Sequence, residues 1–391
     1  MCSGCGACAA GLDGPVSMKL DSAGFLRPQI RYPVSRELDA YVREVCPGVS
    51  LDLQNSGNDI HPEWGPITSV HIGWSTDPEV RYRGSSGGGI SALLIFLLES
   101  GQADFVAHIG VSNDDPFQNV RRISRSRADV LEGAGSRYAP AAPMEAVDSL
   151  FSTGERFAFV GKPCDVAAMH AYLRQYPEKA PQVVALLSFI CAGVPSMRAT
   201  LKVLETMGTS PEETVRFSYR GNGWPGLATA RTRNGSEFTM DYSASWGNIL
   251  GRDLQLRCKV CPDGTGEFAD IVCGDAWYGE DGYPQFDEQE GRSLVISRTA
   301  TGERLLREAA LAAALCIEPC NVREIARMQP YQQSRKRVSL GRLAAVALRF
   351  GFIPKFKGLR LWRASRRGGF MPLLRNFVGT YRRLIPGKAG L

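Results

Sequence analysis

The sequence predicts a protein of mixed α/β or α+β class. Three observations carry that expectation. Short apolar runs of strand length alternate with longer segments of helical length. Glycine and proline punctuate the junctions between them. With 391 residues, 44% hydrophobic and 22% charged, the chain also has the composition of ordinary globular proteins and the length for two or three domains.

The elements follow in order. Residues 90–99 form an apolar helix directly after Gly87, Gly88 and Gly89, and residues 105–111 read as a strand. Residues 146–151 form a short helix, 157–160 a short buried strand and 166–175 a helix. The continuous apolar run 183–190 suits a buried strand. A helix at 198–207, a strand at 293–296 and an Ala/Leu-rich helix at 301–316 complete the set. Arg335, Lys336 and Arg337 mark a boundary before a basic tail. The longest apolar run, 92–98, is far short of the ~20 residues that span a bilayer.

Eleven cysteines set against four histidines point to thiol chemistry. Cys2, Cys5 and Cys8 crowd the first eight residues, and no export signal fits there, so a reducing cytoplasmic compartment is expected. The C-x2-C-x2-C spacing can wrap three corners of an iron–sulfur cube, with Gly4 and Gly6 freeing the backbone to turn. Zinc competes, although its sites usually pair two C-x2-C units or add histidine. The fourth ligand of the usual short motif is missing, because Leu12 stands at that position. Cys46, followed by Pro47 and Gly48, is the candidate replacement. Further on, Cys258 and Cys261 form a second C-x2-C pair. Cys164 and Cys191 sit beside glycines at strand ends. These four could bind a second cluster, while the lone pair alone would equally suit a redox dithiol or a zinc half-site. Cys273, Cys316 and Cys320 have no comparable setting.

Charge is uneven. Residues 335–391 hold 15 of the 46 Lys and Arg and none of the 40 Asp and Glu, so a body of −9 carries a tail of +15. Aromatics interleave with these cations. A peripheral contact with anionic membrane on the cytoplasmic face and a helical extension closing on the body are the two main expectations. No specific nucleic-acid motif accompanies the charge.

Ser85, Ser86, Gly87 and Gly88 precede the apolar helix, a setting that suits a cofactor phosphate or else a plain turn. The sequence from Gly221 to Gly226 matches G-x-G-x-x-G literally. Pro225 and the lack of a convincing strand before it make a turn the expectation. None of the four histidines lies in a recognised motif, and no catalytic acid or base can be named.

Nine motifs in order give the chain a family resemblance. They run from Cys2-Ser-Gly-Cys-Gly-Ala-Cys8 and Cys46-Pro-Gly48 through Arg83-Gly-Ser-Ser-Gly-Gly88 and Gly135-Ser-Arg-Tyr138. Val160-Gly-Lys-Pro-Cys-Asp165, Phe189-Ile-Cys-Ala-Gly-Val-Pro-Ser196 and Tyr219-Arg-Gly-Asn-Gly-Trp224 follow. Cys258-Lys-Val-Cys-Pro262 and Ala269-Asp-Ile-Val-Cys-Gly-Asp-Ala-Trp277 close the series. Together they resemble the family of coenzyme F420 hydrogenase/dehydrogenase beta subunits, over roughly residues 1–315. The family has bacterial members that occur with exopolysaccharide biosynthesis.

The resemblance implies an FAD-containing iron–sulfur oxidoreductase. It implies a ferredoxin-like segment at 1–60, beta-subunit N-terminal and C-terminal domains at 61–150 and 151–330, and the basic amphipathic tail at 331–391. It assigns one [4Fe-4S] cluster to Cys2, Cys5, Cys8 and Cys46, and a second to Cys164, Cys191, Cys258 and Cys261. Ala192 stands where relatives carry histidine. The FAD would lie against Ser85, Ser86, Gly87 and Gly88, with Gly135, Ser136, Arg137 and Tyr138 along the flavin or ribityl, and Asp275 as a polar contact. Arg137 replaces the usual lysine. Electrons from a ferredoxin or reductase would pass through the clusters to FAD and on to an unknown small organic acceptor, or in reverse. The alternative is an electron-transfer or adaptor subunit without its own substrate. The sequence itself carries no support for F420.

Overall fold

A computed structural model describes residues 1–11, 14–54, 60–279 and 285–385. Leu12 and residues 386–391 of the basic tail lie outside the described residues.

An eight-stranded mixed sheet forms the centre. Its strands stand in the order Leu315–Pro319, Ser69–Ser75, Ser293–Ser297, Ile271–Asp275, Val183–Phe189, Phe157–Gly161, Phe105–Val111 and Asn119–Ser124. The four from Ile271–Asp275 to Phe105–Val111 run parallel. The outer strands pair antiparallel. Parallel strands are covered on both faces, so they read as unbroken apolar runs. Phe157 and Phe159 point into one layer with Val166 and Met169 of the helix Pro163–Gln175. Ala158 and Val160 point into the other, with Leu93 and Leu97 of the helix Gly89–Glu99 and Leu305 of the helix Ala300–Leu311. The two-residue alternation thus builds both cores from one strand.

The expected segments 61–150 and 151–330 both supply strands to this sheet, since Ser69–Ser75 lies between Leu315–Pro319 and Ser293–Ser297. A separate antiparallel sheet of Thr214–Ser218, Ala228–Thr232 and Glu237–Met240 packs with the helix Met197–Met207 around Phe217, Tyr219, Val203 and Leu204. The N-terminal residues form a short 3-10 turn (Ala7–Ala9), a hairpin of Val16–Leu20 with Leu26–Ile30, and the helix Arg36–Val45 capped by Ser35.

The expected helix 301–316 ends at Leu311. Ala313 takes a positive φ of 53°, and Leu315–Pro319 turns back as an edge strand. Alanine-rich composition favours helix locally, but pairing with Ser69–Ser75 decides the conformation of Leu315 and Cys316.

The basic segment is folded onto the body. Four helices span Pro330–Arg337, Ser339–Phe350, Leu361–Gly368 and Phe370–Arg383. Lys355–Lys357 pairs in parallel with Ser50–Asp52. Leu343, Val346, Leu359 and Leu361 join the core. Lys336 is buried and paired with buried Glu267. No boundary falls at Arg335, which lies inside a helix and is itself buried.

Candidate functional site

The first thiol set is assembled by tight turns. Gly4 and Gly6 hold φ of 79° and 88°, and a Cβ on Gly6 would meet the Glu145 backbone nitrogen at 2.6 Å. The Met144 and Ala146 amides donate to the carbonyls of Cys5 and Ala9 at 3.0 and 2.6 Å. Cys46 caps the helix Arg36–Val45. The Met1 ammonium donates to the Gly48 carbonyl at 2.9 Å, closing the Cys46 loop on the chain start. The Gly4 amide donates to Cys2 Sγ at 3.3 Å. Burial pushes the Cys5 thiol well above its ordinary value and Cys8 up to about 12, with Cys46 adding to both.

The second set stands next to it. Burial raises the Cys164 thiol, and Asp165, Cys5 and Cys191 raise it further. Cys164 therefore lies near enough to feel a thiol of each set. Burial also raises Cys191 to about 12, helped by Cys258 and Cys261. Gly193 takes φ 139°, and a Cβ there would crowd Leu254 at 2.8 Å and Cys258 at 3.3 Å. The Val194 amide and Gln255 Nε2 each lie 3.4 Å from Cys258 Sγ. Gln255 also donates to the Ser3 carbonyl at 2.9 Å, tying the two sets together.

Two buried arginines face these thiols. Arg257 donates to the Pro47 carbonyl at 3.0 Å, and its Nε and Nη1 have no partner among the described residues. Arg335 donates to the carbonyls of Cys191, at 3.0 Å, and Cys258. Burial works to lower both guanidinium groups, yet the facing thiols, Cys261 foremost, hold them above their ordinary range.

The donor chemistry fits metal-bound thiolate. Eight buried or half-buried cysteines supply the donors, and thiols that burial keeps protonated, as at Cys5, Cys8, Cys164 and Cys191, need a cation to become ligands. Among the described residues no three His, Cys, Asp or Glu side chains converge on one ion. Ligands of a single tetrahedral zinc would stand about 4 Å apart. Cys273 is a buried core thiol, raised to about 12 by burial alone. Cys316 lies on the edge strand Leu315–Pro319 and Cys320 just beyond it.

A cavity of about 800 Å³ opens beside the second set, within the size range of cofactor sites. Cys191 lines it, as do Ser85, Ser86, Gly88, Gly135, Ser136, Arg137, Tyr138 and Asp275. The helix Gly89–Glu99 begins there from Gly88, with no side chain capping its amides. Ser85 Oγ is buried without a partner among the described residues. An open helix N-terminus beside an orphaned hydroxyl fits a phosphate.

Other expected contacts are engaged by the protein itself. Ser86 Oγ donates to the Gly274 carbonyl at 2.9 Å. Gly87 does not line the cavity; its backbone packs on Gly291 and Arg292, where a Cβ would come within 2.8 Å. Arg137 donates to Asn119 Oδ1 at 2.7 Å and to the carbonyls of Pro116 and Phe217 at 3.1 and 3.2 Å. It braces the wall, and its planar fork leaves little for a ligand. Asp275 takes a bidentate pair from Arg220 at 2.6 and 2.9 Å and a bond from Trp224 Nε1 at 2.7 Å.

Two cavity residues escape the sequence reading. Arg220 is the cation that Asp275 orients. The segment around it follows the strand Thr214–Ser218 and leads into the strand Ala228–Thr232, so the glycine motif is a turn between strands with no helix after it. Lys162 lines the cavity while paired with buried Asp165 at 2.7 Å. Val160-Gly-Lys-Pro-Cys-Asp165 held that signal. His108 also lines the cavity, but both ring nitrogens are engaged, by Ser124 Oγ at 2.7 Å and the Ile109 carbonyl at 3.1 Å.

Family models described as coenzyme F420 hydrogenase/dehydrogenase, beta subunit N-term and C terminus match residues 70–147 and 154–323. The chain belongs to this family of beta subunits. Among curated relatives, a subunit of the F(420)H(2) dehydrogenase of Methanosarcina mazei is 22% identical over 78% of this chain and 81% of its own length. The coenzyme F420 hydrogenase subunit beta of Methanococcus voltae is 24% identical over 62% and 80%. The coenzyme F420-dependent sulfite reductase of Methanocaldococcus jannaschii is 25% identical over 64% of this chain, which spans only 38% of that larger protein. In the solved structures, a chain of the F420-reducing [NiFe] hydrogenase complex from Methanosarcina barkeri shares the fold. Its TM-score is 0.54 at 20% identity, covering 72% of this chain and 96% of that one. The named relatives are oxidoreductases or their subunits.

Proposed function

We propose that this family member is an iron–sulfur flavoprotein that exchanges electrons between a one-electron donor and an organic two-electron acceptor. The observation that carries the proposal is the placement of Cys191. It belongs to the second thiol set and also lines the cavity, while Cys164 of that set lies near Cys5 of the first. This neighbourhood supports a serial arrangement of the three sites.

Cys2, Cys5, Cys8 and Cys46 would hold one [4Fe-4S] cluster, and Cys164, Cys191, Cys258 and Cys261 the other. Ser85 and the amides opening the helix Gly89–Glu99 would bind the phosphates of FAD. When bound, clusters supply single-electron carriers and a flavin supplies the change between one- and two-electron steps. The chain's own residues set the conditions. Arg257 and Arg335 place fixed positive charge beside the second set, where it offsets bound anionic thiolate. Asp275 holds the buried Arg220 guanidinium in the cavity wall, packed against the Tyr242 and Trp277 rings. The packing of Gly193 keeps Cys191 close to Cys258.

Coenzyme F420 occurs in the names of the relatives, and it is the first acceptor to test here. Docking on a catalytic subunit is the corresponding proposal for the partner, because several relatives are named as subunits. A role in exopolysaccharide biosynthesis rests on the family resemblance alone.

The test is pre-steady-state reduction of the anaerobic protein by a one-electron donor such as reduced ferredoxin. The expected result is flavin bleaching that Cys46→Ser slows strongly, while reduction of the flavin by a hydride donor is unaffected. Equal slowing of both routes would overturn the serial arrangement.

A further inference from the structure

The basic segment leaves one surface unexplained by the redox site. The helix Phe370–Arg383 is apolar on two sides. Its inner side, with Leu373, Phe377, Thr380 and Leu384, meets the helix Ser339–Phe350, where Arg342 bonds Asn376 at 3.0 Å. Its outer side exposes Met371, Leu374, Val378 and, just past its end, Ile385. Arg375 and Arg382 stand on the same side. The spacing 371, 374, 378, 382, 385 is one helical face.

Large apolar groups continue around it. Phe370 and Trp362 are 75% and 65% exposed. Leu348, Phe352 and Ile353 are exposed as well. A folded chain that presents so many neighbouring apolar side chains is presenting a binding surface.

Charge selects the occupant. Residues 335–391 contain no Asp or Glu. Arg335 and Lys336 are buried, the former at the thiols and the latter on Glu267. Arg349, Lys355, Arg363, Arg366, Arg367 and Arg383 of the same segment remain exposed. A helix face that mixes exposed apolar side chains with arginines suits the interface of an anionic bilayer. Trp362, with Arg366 stacked 5.5 Å from its ring, has the amphipathic character favoured at headgroup depth. No helix among the described residues is long and apolar enough to cross a membrane.

We infer that the outer face of the helix Phe370–Arg383, with Trp362 and the 348–353 turn, docks this protein peripherally on anionic lipid. Charge counting in the sequence leaves the whole basic tail open either to that role or to closing on the body as a helical extension. The structure confines the inference to this face, because the first part of the tail serves the thiol sites and the core.

The test is co-sedimentation of the full chain with phosphatidylcholine vesicles, with and without phosphatidylglycerol. The expected result is binding only with phosphatidylglycerol, weakened by salt. Leu374→Glu with Val378→Glu should reduce partitioning about tenfold or more. Each of Arg375→Gln and Arg382→Gln should reduce it about fivefold. All four positions are exposed, so melting temperature and iron content should stay unchanged. Absence of binding to anionic vesicles would overturn the inference and leave the face to a protein partner. Binding unaltered by the paired glutamates would overturn it equally.

Discussion

Arg335 offers a direct probe of how the fold treats its second thiol set. The side chain is buried, and it donates to the Cys191 carbonyl at 3.0 Å and to the Cys258 carbonyl. Covalent geometry then places its charge within about 7 Å of the Cys191 sulfur. At that separation and an effective dielectric near 20, one unit of charge is worth about 2 kcal/mol. For a one-electron step this is on the order of 100 mV. Reduction adds negative charge beside the guanidinium, so removing the cation disfavours the reduced state. Arg335→Gln should therefore lower the midpoint potential of one of two clusters by roughly that amount, and Arg335→Lys should restore most of it. Potentiometric titration monitored by electron paramagnetic resonance reads both clusters separately. An unchanged potential in Arg335→Gln protein that retains all its iron would refute the reasoning.

Other expectations follow from single contacts. Cys46→Ser should remove the iron of the first cluster, about half the total, and leave the flavin in place; loss of all iron would show that the sets are not independent. Ser85→Ala removes the orphaned hydroxyl without adding bulk, and should weaken flavin affinity about tenfold in a fluorescence titration. Ser86→Ala should instead lower the melting temperature, because it deletes a bond to the Gly274 carbonyl. Asp275→Asn leaves buried Arg220 without its carboxylate and should cost about 3–5 kcal/mol in denaturant unfolding. Lys336→Met isolates the buried Glu267 carboxylate and should destabilise by a similar amount, whereas a detached tail would make it silent.

The central strands were legible because burial on both faces makes them continuous apolar runs. Phe105–Val111 and Val183–Phe189 are of this kind. The strands Ser69–Ser75 and Asn119–Ser124 were not. They carry His71, Arg121 and Arg122; Ser69–Ser75 is identified by partners far along the chain, and Asn119–Ser124 by its hairpin with Phe105–Val111. The cysteine motifs were visible because ligand spacing is local. The roles of Ser85 and Ser86 could not be separated in sequence, since only the fold decides which hydroxyl finds a carbonyl. Arg220 stayed hidden because its partner Asp275 lies 55 residues away. Arg137 looked like a ligand-facing cation because nothing local shows the carbonyls of Pro116 and Phe217 that take its donors. The tail is the helical extension closing on the body that its sequence allowed, but its charge total concealed two cations folded into the interior.

The most direct measurement is analysis of iron, sulfide, zinc and flavin in the anaerobically purified full chain. The account predicts about eight irons with matching sulfide and one FAD per chain. A colourless protein holding zinc and no flavin would contradict it.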